Sequence, residues 1–383
     1  MKKLIRLVVF AALVTAFVLP ALAQTTPSTA TPAATQDEAQ AKAELYDKFV
    51  KNRNTNPPVA YEAGKEYLQK YEAADGASDQ YVSYIKKWVT SYDKLARRNT
   101  FAEQMKAKNY NEAFVTGKQL LAENPEDLPI LYDLSRGGFA AISSGNTALT
   151  ADTLNYAKKT IQLLQAGRTF EKDKPVTNKD EILSGLNFAI GNSLQEAQPM
   201  EAATYFINAA QIEGPFKKDP RTYFFLAAAY EKAEYAKLAP QYGNNCKTED
   251  QIKTTECTDL KAKVDSVVDR MIDALARAIA YNDMSPNAAA NAAARASWLE
   301  LLTTYYKYRH EGSDTGLKEL IASVTSKPMP KPGDPVAPMT TPASTTAPTQ
   351  PTGTAPSGTS SNMSTAPATT TAQPKTTSTK TTP

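Results

Sequence analysis

Between Ile190 and Pro215 the chain reads IGNSLQEAQPMEAATYFINAAQIEGP, with small or apolar residues at Ile190, Gly191, Leu194, Ala203, Ile207 and Ala210 before the closing proline. Side chains three and four apart meet on one helix face. Glycine and alanine on such a face let two backbones approach closely. The spacing predicts a helical hairpin, two antiparallel helices in close contact. A hairpin of this kind keeps an apolar face that only a neighbouring unit can cover, so it predicts an array.

A second match supports repetition. Segment Ala60–Tyr71 (AYEAGKEYLQKY) aligns without gaps to Ala113–Asn124 (AFVTGKQLLAEN), 53 residues later, with alanine, an aromatic, Gly-Lys and leucine at the same offsets. Each is read as the second helix of a hairpin, and Ala113 and Pro125 repeat the spacing of Ala203 and Pro215.

This pattern resembles the tetratricopeptide repeat, a helix–turn–helix unit of about 34 residues. The resemblance rests on Ile190-Gly191, Ala203, Ala210 and Pro215; Asn187 stands where the family's tryptophan falls, and Leu194 where its tyrosine falls. It implies an all-α, right-handed α-solenoid, of a kind that usually binds other proteins on its concave surface and rarely catalyses anything. In the family that surface is lined by the second, fifth, sixth and ninth positions of each first helix. Counting from Ser184 and from Pro220, these are Gly185, Phe188, Ala189 and Asn192, then Arg221, Phe224, Phe225 and Ala228. Asn192 and Arg221 resemble members of the family's peptide-carboxylate clamp, but Phe188 replaces its lysine. An aromatic groove with one cation is therefore expected, formed by Phe188, Asn192, Arg221, Phe224 and Phe225.

Helical spacings recur over residues 37–325, and no run alternates as a strand requires. The expected hairpins pair 38–52 with 59–73, 79–108 with 111–123, 128–143 with 152–166, 180–198 with 200–212, and 220–238 with 259–281. Residues 286–310 and 314–324 close the array. Asp152 is expected as an N-cap, Pro220 and Pro286 in first helical turns, and the alanine run 287–297 at a close helix contact.

The ends are different. Lys2, Lys3 and Arg6 precede a largely apolar stretch from Leu4 to Leu19, and Ala21-Leu22-Ala23 suits a cleavage site, so residues 1–23 read as a signal peptide. No cysteine follows that site, so no lipid anchor and no membrane span after cleavage are expected. Residues 24–36 read as a disordered linker and 326–383 as a disordered tail. Residues 327–383 carry twelve of the chain's 25 prolines and no aromatic, too little apolar surface to offset ordering entropy. The tail is read either as a spacer, a wall-spanning stalk or an O-glycosylated segment, with association to the cell wall or envelope, or as a tail with no specific role.

Each end contributes a net +3, the tail as four lysines against Asp334, so the whole-chain charge of +3 leaves the body at −3. A slightly acidic body with no basic stripe argues against nucleic acid. Cys246 and Cys257 are the only cysteines, and export favours their pairing as a disulfide. The implied compartment is the bacterial periplasm or the extracellular space.

Catalytic constellations are thin, and no cofactor or metal is expected. His310 stands alone at an expected helix C-terminus, where a partly positive imidazole would suit the dipole. Gly64-Lys65 and Gly117-Lys118 lack the remainder of a phosphate loop and are read as close helix contacts. Asp265, Asp269 and Asp273 share one helix face, with Arg277 beside them as for a solvated, salt-bridged surface. Aromatics recur along helices at Tyr81, Tyr84, Trp88 and Tyr92, at Tyr223, Phe224 and Phe225, and at Tyr305, Tyr306 and Tyr308. The expected function is a non-catalytic scaffold that holds a protein or peptide in its groove, in cell-envelope assembly. The alternative is a helical module that binds a glycan or cell-wall polymer by aromatic stacking.

Overall fold

A computed structural model describes residues 34–76, 79–171 and 174–330. The expected signal peptide (1–23), most of the expected linker (24–36) and residues 331–383 of the expected tail lie outside the described residues. Among the described residues all regular structure is helical, and none of the helices is long and apolar enough to cross a membrane. The chain forms two compact units, divided between Arg97 and Arg98.

Unit 1 holds α1 (Ala34–Asn52), α2 (Pro57–Asp75) and the first part of α3 (Gln80–Lys106). Pro57 and Pro58 fit the start of α2, where a missing N–H costs little. Its core is Phe49, Ala60, Ala63, Tyr67, Tyr71, Val82, Ile85 and Val89. Gly64 allows α2 to meet α3, since a Cβ there would lie 2.9 Å from a Val89 methyl.

Unit 2 continues with α4 (Tyr110–Glu123), α5 (Leu128–Ser143), α6 (Thr150–Gln165), α7 (Lys179–Leu194), α8 (Pro199–Gln211) and α9 (Pro220–Tyr230). Next come α10 (Ala236–Asn245), α11 (Glu249–Ile252), α12 (Thr255–Asp283), α13 (Ala292–Arg309) and α14 (Leu317–Ser323). From α4 to α9 each helix packs on the next; α9 then packs on α12, and α12 on α13 and α14. Small residues set these contacts. A Cβ on Gly117 would lie 2.8 Å from Leu134 of α5, and one on Gly191 2.9 Å from the Phe206 ring of α8. Gly64 and Gly117 are thus close helix contacts, as expected, and the matching lysines point outward: Lys118 pairs with Asp152 at 2.6 Å.

Four local expectations need correction. Asp152 lies inside the first turn of α6, because a 3₁₀ turn at Thr147–Leu149 starts the helix earlier. Pro286 lies in turns before α13 rather than in its first turn. The alanine run is almost wholly exposed: half of it is turn, and no helix covers the rest. The ordered body also extends past both expected limits, since α1 begins at Ala34 and residues 326–330 stay on the body. Arg277, which is 4% exposed, holds this last segment by donating to the carbonyls of Lys327 at 3.0 Å and Pro328 at 3.1 Å.

The largest departure lies between the expected helices 220–238 and 259–281, where the chain is mostly helical. The helix begun at α9 runs on through a π-helical turn (Glu231–Tyr235) into α10, despite Pro240. Pro240 cannot donate to the Ala236 carbonyl, and wider hydrogen bonding in the preceding turn accompanies that loss. Cys246 caps α10 and Cys257 lies in the first turn of α12. Their sulfurs stand at disulfide distance, with Cα atoms 5.8 Å apart. The bridge therefore joins two helix ends across α11, whose own start is a capping box of Thr248 and Gln251.

Candidate functional site

α7 and α9 present the two sets of four residues singled out by counting along first helices. Asp219 starts α9 by accepting from the Arg221 N–H at 2.9 Å. The loop before it, with Phe216, is tied to α9 by the Thr222 hydroxyl (2.9 Å to the Phe216 carbonyl) and the Tyr223 hydroxyl (2.6 Å to the Lys217 carbonyl). All eight counted positions remain at least partly open: Asn192 and Arg221 are exposed, and Gly185, Phe188, Ala189, Phe224, Phe225 and Ala228 are half-buried. Leu186, Asn187, Ile190, Gly191, Thr222, Tyr223, Leu226 and Ala227, lying between them, are all buried.

The rings touch in succession as a strip, whose Trp298 end is buried in the core. Phe188 stacks on Phe216 at 4.2 Å between centroids and lies 6.0 Å from Phe225; Phe225 is 5.7 Å from Phe224, which stacks on Trp298 of α13 at 5.3 Å. Phe206 of α8 backs the strip, edge-on to Phe188 at 5.8 Å. Phe224 and Phe225 therefore both contribute, one toward α13 and the other toward α7. Their neighbour Arg221 is not a free cation. Its Nε donates to both Asp219 oxygens at 3.0 and 3.1 Å, its Nη2 to one at 2.6 Å, and its guanidinium carbon lies 5.8 Å from the Phe188 centroid. The Asn192 side chain accepts from the Gln195 amide at 3.4 Å.

Sequence reasoning missed Phe216, Trp298 and the corresponding residues of α5. The same count from Leu128 would have found the last group: Pro129, Tyr132 and Asp133 are half-buried and Arg136 is exposed. Arg136 lies 5.8 Å over the Tyr132 ring and 3.8 Å from Asp133, whose carboxyl burial pushes above the usual range despite that arginine. No comparable count reaches Phe216, which sits on a short 3₁₀ turn.

Other candidates resolve into structure. Asp265 pairs with Lys261 at 2.7 Å and Arg309 at 2.9 Å, Asp269 with Arg309 at 2.7 Å, and Asp273 with Arg277 at 2.8 Å. The face expected to be solvated is instead a half-buried ionic seam between α12 and α13. His310 is buried and stacked on Tyr306 at 4.0 Å; burial, then Arg309, holds its pKa below the ordinary value. The expected partly positive imidazole is thus neutral near pH 7, because burial outweighs the helix dipole.

Unit 1 carries a separate aromatic group. Trp88 and Tyr92 lie parallel, 5.3 Å apart and 9° between planes, with Tyr61 4.9 Å from Tyr92. Lys65 sits 4.5 Å over Tyr61, whose hydroxyl donates to Asp93 and is pushed up to about 12 by that bond and by burial. No family model, curated protein or solved structure matches the chain.

Proposed function

We propose that unit 2 is a right-handed α-solenoid of hairpins, similar to tetratricopeptide repeats, that binds an extended protein segment along its first helices. The supporting observation is the alternation on α7 and α9: of eight positions named by the repeat pattern two are exposed and six half-buried, while the positions between them are buried. A helix that only filled a core would have no reason to leave two phenylalanines side by side and half-open. The rings supply apolar contact, and the exposed Asn192 supplies an amide for a bound backbone. Arg221 acts as a shielded rim charge, since Asp219 already neutralises it. Export to the periplasm or outside the cell, with a role in envelope assembly, accords with the signal-like N-terminus and the cysteine pair.

Asn192→Ala and Arg221→Ala test the groove, because both side chains are exposed and surface exchanges usually stay within about 0.5 kcal/mol in stability. Peptides selected from an array on the full chain should bind Asn192→Ala about tenfold more weakly, a loss of roughly 1.4 kcal/mol. Arg221→Ala should show a smaller loss that shrinks further with salt. Unchanged binding by both variants would remove the groove. The glycan reading keeps one supporting observation, the parallel Trp88–Tyr92 pair of unit 1, since flat aromatic faces suit sugar rings.

A further inference from the structure

α13 has two faces of different character. Trp298, Leu302, Tyr305 and Tyr306 are buried, and the helix packs on α12. On the opposite side Ala296, Leu299, Glu300, Thr303, Thr304 and Lys307 follow one another at steps of three and four residues, or the single steps that join them. They line an open groove of about 450 Å³, and among the described residues no second element supplies a wall to it. Ala296, Glu300, Thr304 and Lys307 are exposed, while Leu299 and Thr303 are half-buried.

The charges on this face are placed symmetrically. Glu300 and Lys307 lie seven residues apart, about two helical turns, with Thr303 and Thr304 at the centre. Glu300 has no ion pair among the described residues. Lys307 reaches only Asp314, at 3.7 Å, and both of those side chains are exposed. A twofold axis between Thr303 and Thr304 would lay a second α13 antiparallel on the first. Each Glu300 would then face the other copy's Lys307, and each Thr303 the other copy's Thr304. A parallel copy in register would instead set glutamate on glutamate and lysine on lysine. An interface closed by a twofold axis uses the same patch on both partners, so that patch must complement itself. The order Glu300, Thr303, Thr304, Lys307 does so.

We propose that α13 pairs antiparallel with α13 of a second copy of this chain. Two Glu300–Lys307 ion pairs flank the contact, and Leu299 and the threonine methyl groups supply its apolar part. The pairing uses none of the groove residues of α7 and α9 and does not depend on how that groove is read. One helix per copy covers less than the roughly 800 Å² per partner of a standard interface, so the dimer is weak and forms at high concentration.

Sedimentation velocity of the full chain, from about 1 to about 500 μM, tests this. Wild type should shift from monomer toward dimer across that range. Glu300→Lys sets lysine against lysine across the axis, and Lys307→Glu sets glutamate against glutamate. Each should dimerise about tenfold or more weakly than wild type. The chain with both exchanges restores the two pairs in reversed order and should return to within about threefold of wild type. An equal mixture of the two single variants should form mixed dimers, because each variant then meets the opposite charge; that result also shows that both are folded. Wild type that stays monomeric throughout overturns the proposal. A dimer indifferent to the single reversals overturns it too, because the contact then lies elsewhere. So does a double reversal or a mixture that stays dissociated, because Glu300 and Lys307 then do not face each other.

Discussion

Gly185 and Gly191 stand six residues apart on α7 and differ in their surroundings. A methyl on Gly191 would meet the Phe206 ring at 2.9, 3.0 and 3.1 Å, whereas one on Gly185 would find only a Phe216 ring atom at 3.7 Å. Overpacking should make Gly191→Ala about 1–3 kcal/mol less stable. Gly185→Ala should be neutral or up to about 1 kcal/mol more stable, since it removes a helix-interior glycine. Thermal melts of the two variants check the pair. His310 gives a pH prediction at the same scale. Unfolded, it titrates near 6.5; folded, burial holds it lower. The unfolded chain therefore takes up the proton first as pH falls. The stabilising effect is complete above 6.5 and is lost as pH drops through the folded value. His310→Phe can keep the ring stack on Tyr306 without that proton. Its melting midpoint should fall less than wild type's between about pH 7.5 and about pH 5, and parallel curves would show that His310 contributes no such slope.

At the scale of elements, α10 is thinly anchored. It buries no residue fully, contains Pro240 and follows a π-helical turn. What holds it are partly buried contacts of Leu238, Ala239 and Tyr242, together with the Cys246–Cys257 link to α12. Closing a loop this short contributes roughly 3 kcal/mol in the chain-entropy model. Replacing both cysteines with serine should cost up to about that much. Hydrogen exchange should speed up first over residues 236–256 while α7 and α8 keep their protection; a uniform change along the chain would contradict a local staple. Whether the chain around the cysteines was helix or loop could not be read locally. Pro240 and a polar stretch signal a break, and only packing against α12 keeps the helix going.

At the scale of the whole molecule, unit 1 and unit 2 each own a core, and α3 contributes residues to both. Tyr67 is 1% exposed in the unit 1 core. Tyr67→Ala should destabilise that core by about 3–5 kcal/mol, as for other large-to-small aromatic exchanges. Exchange rates over residues 37–97 should then rise, while those from α5 onward stay unchanged. Equal acceleration in both units would show that they unfold together.

Spacing alone determined that the described body is helical, where most of its helices begin and end, and which glycines face another helix. These properties follow from contacts within a few turns, which the 3.6-residue period records directly. Phe188, Asn192, Arg221, Phe224 and Phe225 were singled out by the resemblance to tetratricopeptide repeats, which counts along first helices, and not by spacing itself. Tertiary structure decided everything that depends on residues far apart. Trp298 completes the strip from 74 positions beyond Phe224, Arg309 turns an expected solvated aspartate face into a seam from 40 residues away, and Arg277 holds the chain at Lys327, 50 residues on. Asp219 removed the free cation expected at Arg221, since a bidentate ion pair forms only where backbone geometry aims both groups. Helix periodicity constrains which face a residue occupies; it says nothing of which distant side chain will meet it there.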